Sequence, residues 1–162
     1  MNTDKSLTFV HLNTIPCQEF IELMNHKDVG KQMPLLSEGF SEETYQGFLE
    51  AKTKMWQEHG YGPWAFKIDG QFAGWGGLQA EQGDVDFALV LHPNYWGWGR
   101  IIYQAIINQA FNSLNMSSIT ILFPPTRTNW RAITKLGFKE DGTQTVNQYK
   151  FTRYRLLNPQ AS

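Results

Sequence analysis

A short glycine-bearing turn carries the clearest chemical signal in this 162-residue sequence. The segment Trp96-Gly97-Trp98-Gly99-Arg100 follows a predicted strand and precedes a predicted helix. A helix N-terminus offers unpaired backbone N–H groups, and glycines let an anion approach the backbone closely. The turn therefore predicts a pyrophosphate site. The alternative is an ordinary strand-to-helix turn whose glycines adopt positive φ.

Other nucleotide-binding patterns do not fit this turn. Ile102 stands where the dinucleotide fingerprint needs its third glycine, and the chain has no Walker A sequence. Trp98 lies between two glycines, so we expect it to flank a ligand or a partner surface. Most of the other five tryptophans are expected in the core.

The commoner catalytic and metal motifs are absent from the sequence. It contains no G-x-S-x-G and no H-E-x-x-H, and its four histidines lack metal-ligand spacing. The single Cys17 excludes an intramolecular disulfide and a cysteine-based zinc site.

Hydrophobic periodicity and turn residues predict the elements that would position the turn. Asp69-Gly70 is typical of a hairpin, and the glycines at 74, 76 and 77 indicate a bulge or a close backbone approach. Strands are predicted at residues 7–12, 62–68, 71–79, 84–92, 117–123, 138–140 and 146–156, and helices at about 16–24, 41–59, 101–114 and 128–135.

Composition narrows the class of protein. Hydrophobic residues make up 41% and charged residues 18%, which excludes a disordered chain. The longest apolar run, Phe87 to Leu91, is too short to span a bilayer, and the N-terminus lacks a secretory signal. We expect a soluble, cytoplasmic protein with one domain over residues 1–157 and a frayed tail at 158–162.

The formal net charge of −1 argues against a nucleic-acid binder, but it hides an asymmetry. Residues 1–100 carry 7 Lys/Arg and 13 Asp/Glu, whereas residues 101–162 carry 7 Lys/Arg and 2 Asp/Glu. Solvated surface charge explains this division without function. Separate surfaces for an anion and a cation are the functional alternative.

The order of elements, with the glycine turn after the fourth strand, resembles the GNAT family of acetyl-CoA-dependent N-acetyltransferases. The branch of the ribosomal-protein alanine acetyltransferases is the most similar. The resemblance covers nearly the whole chain. It implies an α+β fold with a twisted, mostly antiparallel sheet of about seven strands, flanked by four helices and splayed between strands 4 and 5. Four stretches carry it, at residues 62–66, 72–78, 92–99 and 135–138.

The resemblance also implies a site for acetyl-CoA as co-substrate and no metal. The family's loop pattern, Q/R-x-x-G-x-G/A, falls on residues 96–101, and Gly99 matches its first obligatory glycine. Trp96 replaces Gln or Arg, and Ile101 replaces a small residue. Backbone groups of Val90 and Leu91 would pair with the pantetheine arm like an added strand. The implied contacts are Val90, Leu91, Trp96, Gly97, Trp98, Gly99, Arg100, Ile101 and Asn129.

Amine attack on a thioester needs a base to remove a proton. The resemblance places that base at Asp86, with Glu81 and Asp84 as alternatives, and it makes Asn129 or Thr134 a partner for the leaving sulfur. The family's N-x-x-S/A motif begins at Thr126 when counted back from Phe138 and at Asn129 when read forward, and both registers stay open. A tyrosine often found in this helix as general acid is absent in either register.

Two functions are compatible with the resemblance. The first is an N-acetyltransferase that acts on a protein N-terminus or a small amine, such as a polyamine or an aminoglycoside. The second is a CoA-binding sensor or interaction module without turnover, which the departures at Trp96 and Ile101 favour. By resemblance, residues 31–40 and 142–149 would build the acceptor pocket. A homodimer is compatible with either function, and no nucleic-acid or membrane partner is expected.

Overall fold

A single seven-stranded sheet organises the molecule. The computed structural model describes residues 6–30, 39–124 and 130–160. The strands are β1 (Leu7–Val10), β2 (Pro63–Ile68), β3 (Gln71–Glu81), β4 (Asp84–Leu91), β5 (Ser118–Phe123), β6 (Lys139–Val146) and β7 (Tyr149–Leu157). They lie in the order β1-β2-β3-β4-β5-β7-β6. Neighbouring strands are antiparallel except β4 and β5, which run parallel.

Five helices accompany this sheet in the described residues. Four correspond to the predicted helices, and the fifth is a single extra turn. They are α1 (Cys17–Asn25), the extra turn α2 (Lys27–Gly30), α3 (Glu42–His59), α4 (Gly99–Asn108) and α5 (Trp130–Thr134). The last turn of α4 continues in π geometry over Gln109–Ser113, and 3-10 turns occupy Leu12–Thr14 and Pro93–Trp98.

The ends of α3 follow the expected capping chemistry. The Ser41 hydroxyl accepts a hydrogen bond from the Thr44 N–H at 3.1 Å, and Glu42 and Glu43 lie in the first turn. Negative charge there suits the helix dipole. Gly60 ends the helix with φ of 74°, a conformation that glycine adopts without strain.

The two faces of the sheet bury two separate cores. On one face, α4 packs Ile102 and Ile106 against Phe87 and Leu91 of β4. On the other face, α1 and α3 cover Trp75, with Phe20 at the centre of a group of aromatic rings. Ala88 and Val90 of β4 pack against this second core, so the later part of β4 is apolar on both faces, as the sequence predicted.

The glycines of β3 allow β3 and β4 to approach closely. A Cβ at Gly74 would lie 2.1 Å from the Val90 carbonyl oxygen, and one at Gly76 would lie 2.2 Å from that of Ala88. Neither distance is possible for a real side chain. The close backbone approach that the sequence indicated is confirmed.

Four predicted strand boundaries are wrong by two residues or more. β3 runs to Glu81 rather than residue 79, and β7 begins at Tyr149 rather than residue 146. β1 ends at Val10 rather than residue 12, because a 3-10 turn begins at Leu12. β6 runs to Val146 instead of stopping at residue 140. The hairpin turn falls on Asn147 and Gln148, which adopt φ of 48° and 71°. Neither residue is a glycine, so the sequence did not indicate a turn here.

The segment predicted to fray begins with a residue that is tied to the domain. Asn158 is 9% exposed, and its side-chain amide donates to the Met116 carbonyl at 2.9 Å. Its backbone N–H donates to the Ser117 carbonyl at 2.8 Å. Asn158 therefore belongs to the packed structure beside β5.

Candidate active site

The sheet opens between its two parallel strands. In the described residues, β4 and β5 share one paired position, Asp86 with Thr120. Beyond it, β4 continues to Leu91 along β3, and β5 continues to Phe123 along β7. The predicted splay between strands 4 and 5 is thus present, and Asp86 lies where it begins.

Asp86 sits in a partly buried, polar environment at this point. The hydroxyl of Thr120, itself 2% exposed, donates a hydrogen bond to Asp86 Oδ1 at 3.1 Å. Burial raises the pKa of Asp86 to about 7, and the neighbouring Glu81 and Asp84 add to the rise, while the Thr120 hydrogen bond and Lys52 oppose it. A carboxyl group with this pKa can take up and release a proton near neutral pH.

Asp84 is engaged elsewhere. Its two carboxylate oxygens meet the Arg155 guanidinium, Nη1 to Oδ1 at 3.0 Å and Nη2 to Oδ2 at 3.2 Å. Arg155 Nε also donates to Asp141 Oδ2 at 2.8 Å. This two-pronged ion pair uses the oxygens that a base would need. Glu81 is the cross-strand partner of Asp84 and lies two residues further from the splay than Gln79, which faces Asp86.

Lys52 and Gln79 complete the surroundings of Asp86, and no sequence motif predicted either residue. Gln79 lies opposite Asp86 in the β3–β4 ladder. The Lys52 Nζ on α3 donates to the Gln79 side-chain oxygen. Thr120 was not predicted either. Its contact with Asp86 depends on how two distant strands align, which the sequence does not show.

The glycine turn leads directly into α4. The backbone N–H of Asn94 donates to His92 Nδ1 at 3.1 Å, which opens the 3-10 turn, and α4 begins at Gly99. Gly99 has helical φ of −53°, and Gly97 is not among the positive-φ residues. A Cβ at Gly97 would meet nothing within 4 Å, and one at Gly99 would meet Leu89 Cδ2 at 3.9 Å. Neither the backbone conformation nor the packing of the fold therefore requires glycine at these two positions.

The side chains of the turn differ from the prediction in one respect. Trp98 packs against the core under α4, whereas Trp96 and Ile101 are each 51% exposed. Trp96 Nε1 donates to the Leu91 carbonyl at 2.9 Å, which holds the indole across the end of β4. Arg100 is exposed beside them. Trp96, rather than Trp98, is the open aromatic surface of this turn.

The backbone of β4 presents alternate residues to the splay. The His92 N–H donates to the Ala73 carbonyl of β3 at 2.8 Å. Because backbone groups alternate in direction along a strand, Val90 also faces β3, while Leu89 and Leu91 face the opening. The backbone groups of Leu89 and Leu91, and not those of Val90, are therefore open to a ligand, and the contact of this strand with a pantetheine arm stays a prediction. Leu91 keeps its direction, but its carbonyl already accepts from Trp96.

Of the two residues that the resemblance implies as partners of the leaving sulfur, only one is described by the structure. Asn129 lies outside the described residues, as does Thr126, so the register of that motif stays a prediction. Thr134, in the last turn of α5, donates its hydroxyl to the Arg131 carbonyl at 2.9 Å.

Neither a metal cluster nor a membrane helix is found in the described part of the chain. No three His, Cys, Asp or Glu side chains gather there in a way that could hold a metal ion. No helix among residues 6–30, 39–124 and 130–160 combines the length and the apolar character needed to cross a bilayer.

Comparison with known proteins agrees with this architecture. A family model described as "Acetyltransferase (GNAT) domain" matches residues 7–139. The chain therefore belongs to the GNAT acetyltransferase family, as the sequence resemblance implied.

Solved structures share the fold at low sequence identity. A GNAT-family acetyltransferase from Bacillus anthracis is 18% identical, with a TM-score of 0.72 over 96% of both chains. A spermidine N-acetyltransferase from Vibrio cholerae, in complex with CoA and spermine, is 15% identical, with a TM-score of 0.71 over 97% of both chains. RimL, a ribosomal-protein alpha-N-acetyltransferase in complex with coenzyme A, is 14% identical, with a TM-score of 0.74 over 94% of both chains.

Proposed function

We propose that this protein transfers the acetyl group of acetyl-CoA to a primary amine, with Asp86 as the base. The position of Asp86 carries the proposal. It is the carboxyl group at the point where β4 and β5 separate, and its pKa is raised to about 7. Of the three carboxylates considered from the sequence, Asp84 is held by Arg155, which leaves Asp86 better suited to accept a proton.

The glycine turn supports the acetyl-CoA end of the site. Gly97 and Gly99 are not required by backbone conformation or by packing, so close approach of a ligand to the backbone accounts for them. The N-terminus of the ten-residue α4 lies here, and its positive dipole end would face a pyrophosphate, while the Gly99 N–H itself donates to the Trp96 carbonyl. The exposed Arg100 adds a positive charge beside it.

The reaction needs one proton acceptor and one leaving group. An acceptor that arrives as an ammonium ion first loses one proton to solvent. The neutral nitrogen then attacks the carbonyl carbon of the thioester, the new C–N bond forms and the C–S bond breaks. Asp86 takes the proton that the nitrogen loses, directly or through water, and CoA leaves as its thiolate, which takes a proton from solvent. Afterwards Asp86 returns its proton to solvent, which a pKa of about 7 permits near neutral pH.

The acceptor is either a protein N-terminus or a small amine. Proteins of the same fold include one named for a ribosomal-protein N-terminus and one named for spermidine. The acidic groups Glu81 and Asp86 near the β3–β4 turn suit an acceptor that arrives as a cation.

A transfer assay with matched variants tests the proposal. Purified protein is mixed with acetyl-CoA and a panel of N-terminal peptides, polyamines and aminoglycosides, and the free CoA thiol is followed. We expect turnover with at least one class, and a 10²–10⁴-fold lower kcat for Asp86→Asn with an unchanged KM for acetyl-CoA. Full activity of Asp86→Asn would assign the proton transfer to another group. Binding of CoA without turnover for any amine would favour the CoA-binding module instead.

A further inference from the structure

We propose that Lys52 is a positioning residue for Asp86. The Lys52 ammonium group favours the ionised carboxylate and so extends the reaction towards lower pH. This inference rests on the proposed function, in which Asp86 is the base. It assigns a role to a residue of α3 that belongs to none of the sequence motifs.

Contacts on several sides hold the Lys52 ammonium group in place. Nζ donates to the side-chain oxygen of Gln79. It also lies 5.3 Å from the centroid of the Phe48 ring and 5.8 Å from that of Trp75. Aromatic faces attract a cation at these distances, and most strongly where water is excluded. The long lysine side chain is thereby fixed instead of extending into solvent.

This arrangement places the positive charge beside Asp86. Gln79 and Asp86 are directly opposite each other in the antiparallel β3–β4 ladder, so their side chains project from the same face. Cβ atoms of such pairs are about 5 Å apart. The ammonium bound to Gln79 is therefore one side chain away from the carboxyl group. The influence is mutual: Lys52 lowers the pKa of Asp86, and Glu81 and Asp86 partly offset the burial that lowers the pKa of Lys52.

The neutral amide between the two groups matters for function. Because Lys52 donates to an amide oxygen, its charge acts on Asp86 through space and leaves the carboxylate oxygens to Thr120 and to a substrate proton. A direct ion pair would hold the carboxylate as firmly as Arg155 holds Asp84.

The other charges around Asp86 do not replace Lys52. Glu81 of β3 and Asp84 of β4 are negative and disfavour its ionisation. Arg155 of β7 is positive, but it is committed to Asp84 and Asp141. Among the described residues, Lys52 is the cation whose charge bears on Asp86.

Carbon-13 NMR of the Asp86 carboxyl carbon in the ligand-free protein tests the inference. We expect Lys52→Met to raise the titration midpoint of Asp86 by a few tenths of a pH unit, and Lys52→Arg to leave it near the wild-type value. Gln79→Met, which releases the ammonium from its acceptor, should also raise it and serves if Lys52→Met does not fold. The control is Lys54→Met on the same helix. Lys54 pairs with the exposed Glu58 at 3.6 Å, so its replacement should leave the Asp86 midpoint unchanged.

The kinetic measurement is made on the same variants. The midpoint of the kcat/KM–pH profile should move with the NMR midpoint in Lys52→Met and Gln79→Met, and should stay in place in Lys54→Met. An unchanged NMR midpoint in Lys52→Met and Gln79→Met overturns the inference. A kinetic midpoint that stays at the wild-type pH while the NMR midpoint shifts also overturns it. Absence of turnover in the wild type overturns the proposed function instead. In that case the NMR midpoint still tests whether the charge of Lys52 acts on Asp86.

Discussion

Asp86 and Thr120 join β4 to β5 by both backbone and side chain. They form the one paired position of these strands in the described structure, and the Thr120 hydroxyl donates to Asp86 Oδ1 at 3.1 Å. The same hydroxyl lies 3.5 Å from the Val85 carbonyl. The residue that fixes the carboxyl group is therefore also the residue at which the sheet begins to open.

Thr120→Val should shift the pH dependence of the reaction upward. The hydrogen bond from Thr120 lowers the pKa of Asp86, so its loss leaves burial less opposed and raises the midpoint above about 7. We expect kcat/KM of the variant to fall most below pH 7 and to approach the wild-type value at high pH. The pH–rate profile measures this, with Thr120→Ser as the control that keeps the hydroxyl. A midpoint equal to that of the wild type would contradict the prediction.

Asp86→Asn should stabilise the protein at alkaline pH. Burial raises the pKa of Asp86 to about 7 in the folded state, whereas an unfolded aspartate titrates near about 4. The folded state thus binds the proton more tightly, so this contribution is complete below about pH 4 and is lost as the pH rises through about 7. The variant cannot ionise and should gain up to about 4 kcal/mol over the wild type at pH 8 and little at pH 4. Urea unfolding at both pH values checks this, and an equal difference at both would refute it.

Asp84→Asn should separate a structural carboxylate from a catalytic one. The change removes one charge of the ion pair with Arg155, whose side chain is 25% exposed and would lose a charged acceptor. We expect a loss of about 1–3 kcal/mol in the free energy of unfolding and a kcat within about tenfold of the wild type. Denaturant melts and acetyl-transfer assays of one preparation give both values. A loss of kcat as large as that of Asp86→Asn would make Asp84 the base.

Gly99→Val should abolish CoA binding without harming the fold. A side chain fits at Gly99, where the Cβ would meet Leu89 Cδ2 at 3.9 Å, but it would occupy the space in which a pyrophosphate meets the backbone. In the wild type, CoA at one hundred times its Kd should add about 2.7 kcal/mol of stability. The variant should melt like the wild type and lose most of this shift.

Gly47→Val is the matched control for that experiment. Gly47 is an exposed glycine inside α3, and a Cβ there would meet nothing within 4 Å. Calorimetry with and without CoA should show a full ligand shift in Gly47→Val. Equal shifts in the two variants would remove the glycine turn from the binding site.

Arg100→Ala should raise the KM for acetyl-CoA and leave that for the acceptor amine unchanged. Arg100 is exposed in the first turn of α4, and CoA carries several phosphate charges. Salt should weaken this attraction, since the Debye length falls from about 10 Å at 0.1 M to about 3 Å at 1 M. Initial rates at several salt concentrations measure both constants. If the KM for acetyl-CoA is independent of salt, the charge asymmetry is solvated surface alone.

The sequence by itself predicted much of this molecule because its signals are local. Helix caps such as Ser41, the hairpin residues Asp69-Gly70 and the glycine turn before α4 each act over a few residues, and each lies where the sequence placed it. The β6–β7 turn escaped because Asn147 and Gln148 adopt positive φ without glycine. The family resemblance pointed to Asp86 as the candidate base, near the start of a strand whose later part is buried on both faces.

The tertiary structure decided which groups surround that carboxylate. Thr120 meets Asp86 across 34 residues of sequence, Arg155 engages Asp84 across 71, and Lys52 reaches Gln79 across 27. Such contacts depend on strand register and on how α3 packs on the sheet, and a local pattern does not encode either. Desolvation of Asp86 is likewise a property of everything packed around it, so the chemistry of the residue became visible when the sheet was assembled.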